Sequence, residues 1–327
     1  MRRSDLFYRI TSLIFTLLGI SIIFQLSYSP RHCTSKLTVS GIKSGANLPQ
    51  SVTSPNIGNI KLSIMNDSGK VSTKSSVSTP RFIIVILSAA RNKEIRNMLR
   101  TRGWLNNTWT LPGGGTVEYS FLVGQDMEYD VSDEVEEYGD MVVWPGPDSY
   151  RNIVHKLAWF LGRLQLQHQR DAYSYDFLVK LDDDSYLNVS KLALTLTNVS
   201  STKPWYGGEC ISNKLVSRTG KYSVDPYHYP STYYPAYAAG AGYVLSAALV
   251  QRITSIMWRV PQFAVEDAYI GVVTNLTGNG VECLEGFYHQ NWRMYSDVLD
   301  TAVLLHKVKL EDIKTIRTLT ENLTGIT

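Results

Sequence analysis

The segment Phe82-Ile-Ile-Val-Ile-Leu87 constrains this chain most. An unbroken, largely β-branched apolar run leaves no face for water, so it belongs in a strand covered on both sides, as in a parallel sheet. Parallel strands need long crossovers, and the residues that follow supply them. Spacing predicts a helix over Asn92–Arg102, a strand over Tyr119–Gly124 and an acidic helix over Ser132–Tyr138. It then predicts a strand over Met141–Trp144, a helix over Tyr150–Gln169 with Ile153, Leu157, Phe160 and Leu164 on one face, and a strand over Phe177–Lys180. Strands alternating with helices give an α/β fold with a central, mostly parallel sheet. Further on, Pro235, Gly240 and Gly242 read as a turn that leads into Tyr243–Ser246, and Ile60–Met65 reads as an isolated strand.

The N-terminus carries a second strong signal. Arg2, Arg3 and Arg9 precede an uncharged apolar run from Ile10 to about Leu26. That run is at the short end of what spans a bilayer, and no A-x-A-like cleavage site follows it. The basic flank keeps the N-terminus cytoplasmic and sends the rest to the lumen or outside. A cleaved signal peptide is the alternative, with the same consequence for the body. The expected organisation is a cytoplasmic tail (1–9), a transmembrane signal-anchor helix (10–26), a flexible Ser/Thr/Gly/Asn-rich stem (27–79) and one catalytic body (80–327). Sequons at Asn66, Asn106, Asn188, Asn198, Asn275 and Asn322 agree with a lumenal body. Of the three cysteines, Cys33 lies just past the span, while Cys210 and Cys283 lie deep in the body. In an oxidising lumen these two are expected to pair, leaving Cys33 for a bridge between two copies; three buried thiols are the alternative. A net charge of +3 is too small to suggest a nucleic-acid partner.

The chemistry concentrates in Lys180-Leu-Asp-Asp-Asp-Ser-Tyr-Leu187. Ligands of open α/β sheets bind beyond the carboxyl ends of strands, which is where this acidic triplet falls. In extended backbone Asp182 and Asp184 face one way and Asp183 the other. Two carboxylates on one side suit a hard divalent cation, which can bridge a diphosphate. An isolated triplet would equally suit a solvated loop or a calcium-binding turn.

The surrounding motifs narrow the choice. The acidic segment resembles the K-x-D-D-D-x-[FY]-[VL] block of the β-1,3-galactosyltransferase and N-acetylglucosaminyltransferase family. Arg96-Asn-Met-Leu-Arg100 with Trp104 resembles R-x-A-I-R-x-T-W, with one residue inserted before the Trp. Phe121–Gly124, Glu137–Asp140, Asp148–Asn152 with Lys156, Tyr234–Tyr243 and Val265–Gly271 resemble further blocks in the family's order, over roughly residues 82–310. The usual family cysteine near the Tyr-Arg segment is missing from Arg293-Met-Tyr-Ser.

The resemblance implies a GT-A-type nucleotide-sugar transferase fold and an inverting transfer. The donor would be UDP-galactose, with UDP-GlcNAc or UDP-GalNAc as alternatives. The acceptor would be a glycan on a glycoprotein or glycolipid, and the enzyme would sit in the Golgi membrane with a single-pass type II topology. Mn²⁺ or another divalent cation would be held by Asp184, with Asp182 nearby and a C-terminal histidine, His306 or its rival His289. Asp267 would be the general base, with Glu266 the neighbouring acid; alternatively both merely cap a helix. Arg96, Arg100, Lys180, Asp182 and Asp183 are candidates for the nucleotide side, with Lys156 a further cation. A surface ion pair is the alternative for the two arginines. Trp205 and Tyr206 would line the acceptor groove or the core. A non-catalytic lumenal lectin is the reading from another class.

Overall fold

The computed structural model describes residues 80–106, 111, 114–170, 174–294, 299–309, 311–313 and 315–316. The segments read as tail, span and stem, Cys33 and the strand expected at Ile60–Met65 lie outside the described residues. No described helix is long and apolar enough to cross a membrane.

Strand β1 (Arg81–Leu87) is central to the sheet, as its composition requires. Phe82, Ile84 and Ile86 enter one hydrophobic cluster, and Ile83, Val85 and Leu87 enter the other. This period-two division is how one apolar run serves two faces. Around it run α1 (Lys93–Thr101), β2 (Thr116–Gln125), α2 (Ser132–Tyr138), β3 (Met141–Pro147), α3 (Ile153–Gln169) and β4 (Phe177–Asp182). These match the elements predicted from spacing, to within a few residues at the ends. After β4 come β5 (Tyr186–Leu187), α4 (Val189–Thr195), β6 (Tyr206–Ile211), β7 (Tyr237–Ser246), α5 (Ala247–Ile256) and α6 (Glu266–Leu276). The last strands are β8 (Glu282–Cys283), β9 (Phe287–Asn291) and β10 (Leu304–His306).

The main sheet has the order β3-β2-β1-β4-β7-β6-β8, and only β7 runs against the other six strands. A small sheet, β5-β10-β9, lies in the cluster that also holds α1 and α4. Helices α3, α5 and α6 pack on the opposite face. Cys210 and Cys283 form a disulfide that ties β6 to β8.

The turn expected at Gly240 and Gly242 is instead part of β7. Close contact explains the glycines. A Cβ on Gly242 would stand 2.3 Å from Leu304 Cδ1 and 2.6 Å from Leu181 Cδ2. A Cβ on Gly240 would stand 3.1 Å from Asp267 Oδ2. The signal read as a bend is therefore one of crowding across a strand.

Candidate active site

The triplet sits where β4 gives way to a turn, so Asp182 ends the strand and Asp183 and Asp184 bend away from it. The turn is braced from two sides. The Trp104 indole donates to Ser185 O at 3.0 Å, and Ser185 Oγ donates to Ala241 O at 2.7 Å. The carboxylates diverge. Asp183 turns toward the β1–α1 loop, where Oδ2 accepts from Ser88 Oγ at 2.7 Å and Asn92 Nδ2 at 2.9 Å. Asn92 precedes α1, makes no side-chain cap, and donates its Nδ2 to Asp183.

Asp182 and Asp184 turn the other way, toward His306 on β10. One ligand atom from each of the three lies within 4.8 Å of the others. His306 Nε2 is 3.2 Å from Asp184 Oδ1, and its Nδ1 meets the His289 carbonyl. A backbone acceptor on Nδ1 fixes the ring and leaves Nε2 facing the carboxylates, as metal-binding histidines usually require. Two hard oxygen donors and one borderline nitrogen suit Mn²⁺ or a similar divalent ion. Burial pushes the His306 pKa down, but pairing with Asp184 more than offsets this, and the net shift is upward. Burial likewise pushes Asp184 up, and the same pairing brings it below the ordinary carboxylate value. His289 lines the same cavity but gives its Nδ1 to Glu209 Oε1 at 2.7 Å.

Facing this cluster is the N-terminus of α6. Glu266 is buried, with Oε1 accepting from the Tyr243 hydroxyl at 2.5 Å and Oε2 3.1 Å from Lys180 Nζ. Both its oxygens are engaged. Asp267 Oδ2 accepts from Gly240 N at 3.0 Å and Oδ1 from Ala268 N at 2.8 Å. Burial raises the pKa of both acids, against the opposing pull of Lys180. A carboxylate shifted upward is a better proton acceptor than an ordinary one.

Lys180 joins the two sides. Its ammonium is fully buried, 2.7 Å from Asp182 Oδ1, and donates to Gly240 O. It is thus enclosed by Asp182, Glu266 and Gly240. Arg96 and Arg100 are also turned inward. Arg96 has no exposed surface and donates to both Glu134 oxygens, at 2.8 and 2.7 Å, and to Ala89 O, Ala90 O and Ser88 Oγ. Arg100 takes Asp140 bidentately, at 2.8 and 2.7 Å, and Glu134 at 2.8 Å. Both guanidinium groups therefore sit in a buried ion network in place of the surface pair weighed from sequence. Arg96 braces the β1–α1 loop from behind, since it holds the Ala89 and Ala90 carbonyls. Lys156 does the same from α3, donating to Ser88 O at 2.8 Å and Asp148 at 3.0 Å.

Two cavities meet at the acidic turn. The smaller, about 330 Å³, opens over the Ser88–Asn92 loop, Asp148 and Asp183. The larger, about 730 Å³, is lined by Glu266, Asp267, His306, Tyr234 and Tyr237. Tyr150, Ile153, Asp182 and Asp184 line both. The arrangement puts three residues that could hold a metal ion where the two cavities meet, with the half-buried Asp267 on the wall of the larger one. Trp205 and Tyr206 take no part. Trp205 covers Gly207 and bonds Glu282, while Tyr206 is buried with its hydroxyl accepting from Ala238 N. Sequence reasoning assigned no role to Ser185 and Tyr150, although both lie inside the blocks quoted above, and Glu209 carried no signal of its own.

Comparison with known proteins agrees with this geometry. The rat (Rattus norvegicus) UDP-GalNAc:beta-1,3-N-acetylgalactosaminyltransferase 1 is 26% identical over 210 residues, covering 62% of this chain and 61% of the relative. The human (Homo sapiens) acetylgalactosaminyl-O-glycosyl-glycoprotein beta-1,3-N-acetylglucosaminyltransferase is 25% identical over 212 residues, covering 60% and 52%. The chain thus spans between half and two thirds of the length of these relatives. A galactosyltransferase crystallised with donor and acceptor sugar analogues superposes with a TM-score of 0.37 at 10% identity, covering 75% of this chain and 97% of that one, too distant to bear on the site. The family described as Galactosyltransferase matches residues 94–282, more than half of the chain and most of the elements that build the cleft. The chain is a glycosyltransferase-type α/β protein that belongs to the galactosyltransferase family.

Proposed function

We propose that this protein is an inverting, metal-dependent β-1,3-glycosyltransferase that moves a hexose from a UDP-sugar to a glycan acceptor. One observation carries the proposal: the Asp182–Asp184–His306 set and the separate acid Asp267 face each other across a single cavity. A binding protein needs no second acid opposite its ion site. The nucleotide would occupy the smaller cavity, with its diphosphate at the junction beside Asp182 and Asp184. When bound, a divalent ion such as Mn²⁺ supplies positive charge to the diphosphate leaving group.

The remaining chemistry belongs to the chain itself. Asp267 takes the proton of the acceptor hydroxyl as its oxygen attacks the anomeric carbon from the side opposite the diphosphate. Lys180 holds Asp182 and the Gly240 carbonyl in place, and the Gly240 amide orients Asp267. Glu266 balances the buried charge of Lys180.

UDP-galactose is the donor that the sequence resemblance favours. UDP-GalNAc or UDP-GlcNAc is the second reading, favoured by the names of the relatives above. The proposal includes placement in the Golgi membrane through residues 10–26, with the body lumenal. The test is transfer by the purified full chain from each UDP-sugar, with and without Mn²⁺, to GlcNAc- and Gal-terminated acceptors. Metal-dependent transfer from one donor supports the proposal and names the sugar. A folded protein that binds sugars yet neither transfers nor hydrolyses any UDP-sugar would overturn it in favour of the lectin reading.

A further inference from the structure

The connection between β6 and β7 runs from about residue 212 to 236, long for a segment without strands or helices of its own, and such loops are usually functional. This one is braced. Arg218 donates to the carbonyls of Val224, Tyr229 and Ser231, and Leu215 pairs with Tyr233 across its base. At its tip Ser223 N returns to Gly220 O at 3.2 Å, with Gly220 at φ +76°, a conformation glycine adopts readily. Lys221 and Tyr222 are the central residues of that tight turn.

The turn delivers Lys221 into the cleft. Its ammonium stands 4.6 Å from the centre of the Tyr150 ring and 5.2 Å from that of Tyr222. The two rings meet edge-to-face, 6.0 Å apart at 75°. Lys221 lines the larger cavity, while Tyr150 lines both, so the ammonium lies near the junction of the two. Among the described residues no carboxylate forms an ion pair with it. Arg91 lines the smaller cavity and Lys214 and Lys307 the larger, but among the described residues Lys221 is the cavity-lining cation held over the ring of a residue that lines both. The ammonium is exposed and its described contacts are the two rings, so it is open to an anion that enters the cavity.

On the reaction proposed above, we infer that Lys221 is a catalytic cation that receives the departing diphosphate. As the acceptor oxygen bonds to the anomeric carbon, the bond from that carbon to the β-phosphate oxygen breaks and its electron pair stays on the phosphate. The acceptor proton goes to Asp267. The leaving nucleotide gains one negative charge, and Lys221 pairs with that charge without giving up a proton. The Tyr150–Tyr222 cradle holds the ammonium where charge appears, which favours the transition state over the ground state.

The test uses the detergent-solubilised full chain with Lys221→Met, which keeps an apolar stem over the rings, and Lys221→Arg, which keeps the charge. Calorimetry in Mn²⁺ compares UDP with UMP, and turnover is followed with the best UDP-sugar. In Lys221→Met, kcat is expected to fall about a hundredfold with little change in acceptor KM. Its UDP affinity should fall about tenfold while UMP affinity holds, because only UDP carries the β-phosphate. Lys221→Arg should recover most of both. Equal losses for UDP and UMP, or no loss for either, would overturn the inference. Should Lys221→Met melt early, Lys221→Gln takes its place. If the wild-type chain transfers no sugar, the activity reading fails by itself, and the UDP–UMP comparison still decides the role of Lys221.

Discussion

Asp267→Asn is the substitution usually chosen to remove a base without changing shape, and here its effect has two parts. Both Asp267 oxygens accept backbone N–H groups, from Gly240 at 3.0 Å and Ala268 at 2.8 Å. Asparagine has one oxygen, so one of these amides must face an NH₂ group. Leaving a buried donor unpaired costs on the order of 1–3 kcal/mol. A value near 2 kcal/mol lowers the melting temperature by roughly 4–8 °C for a body of this size. Loss of the proton acceptor independently lowers turnover by about 10²–10⁴-fold. The two parts separate experimentally. Melting is followed by circular dichroism with and without UDP and Mn²⁺, and turnover is measured well below the melting point. UDP should raise the melting temperature of variant and wild type alike, since the nucleotide side is untouched. Wild-type turnover in a variant that melts early would refute the role of Asp267 as base. A variant that loses both turnover and UDP stabilisation would show that Asp267 acts through the architecture of the cleft.

Other consequences follow from the same contacts. Glu134→Gln leaves the Arg96 and Arg100 charges under-compensated inside the protein, and urea unfolding should show a loss of about 3–5 kcal/mol. Burial raises the Glu134 pKa, but hydrogen bonds from Arg96 and Arg100 outweigh it and hold it below the ordinary value. Its stabilisation is therefore present above the unfolded carboxylate pKa and lost as pH falls through the lower, folded one, and the acid limb of the wild-type stability curve should flatten in Glu134→Gln. The Cys210–Cys283 bridge closes a loop of 73 residues, so Cys210→Ser with Cys283→Ser should cost about 4 kcal/mol, read from denaturation under oxidising conditions. His306 has a raised pKa in the absence of a cation, so Mn²⁺ must displace its proton. Mn²⁺ affinity, titrated calorimetrically, should weaken as pH falls through that raised value, and a pH-independent affinity would remove His306 from the ligand set.

Much of this fold was legible in the sequence because its central strands are buried on both faces and so are apolar without interruption. Phe82–Leu87 carries that signature in full, and Phe177–Leu181 carries it apart from Lys180. The acidic triplet stood out because it breaks such a run. Strand alternation predicted the divergence of Asp183 from its neighbours, but Asp183 and Asp184 lie in a turn, and the divergence comes from that turn and from the Ser88 and Asn92 contacts. Other features were invisible for a physical reason. Arg96 and Glu134 are 38 residues apart, and no local pattern tells an arginine that will be buried from one that will be solvated. Strands β5 and β10 have two and three residues, too few to show a period. Gly240 and Gly242 misled because a glycine needed for crowding and one needed for a bend look alike in a sequence. Lys221 is conspicuous only once the loop has closed and the Tyr150 ring has come beneath it.

Gly240 merits a last consideration. Its carbonyl is held by Lys180, on the side of the ion site, and its amide by Asp267, on the side of the base. These belong to two successive peptide planes, each rigid, which meet at a single Cα. On the proposed reaction, one residue thus touches both the side where charge leaves and the side where the proton is taken, and the Lys180–Glu266 pair ties the same two sides. If the chain is the sugar transferase proposed above, changes in the outer walls of the cleft should alter which sugars enter while leaving this link intact.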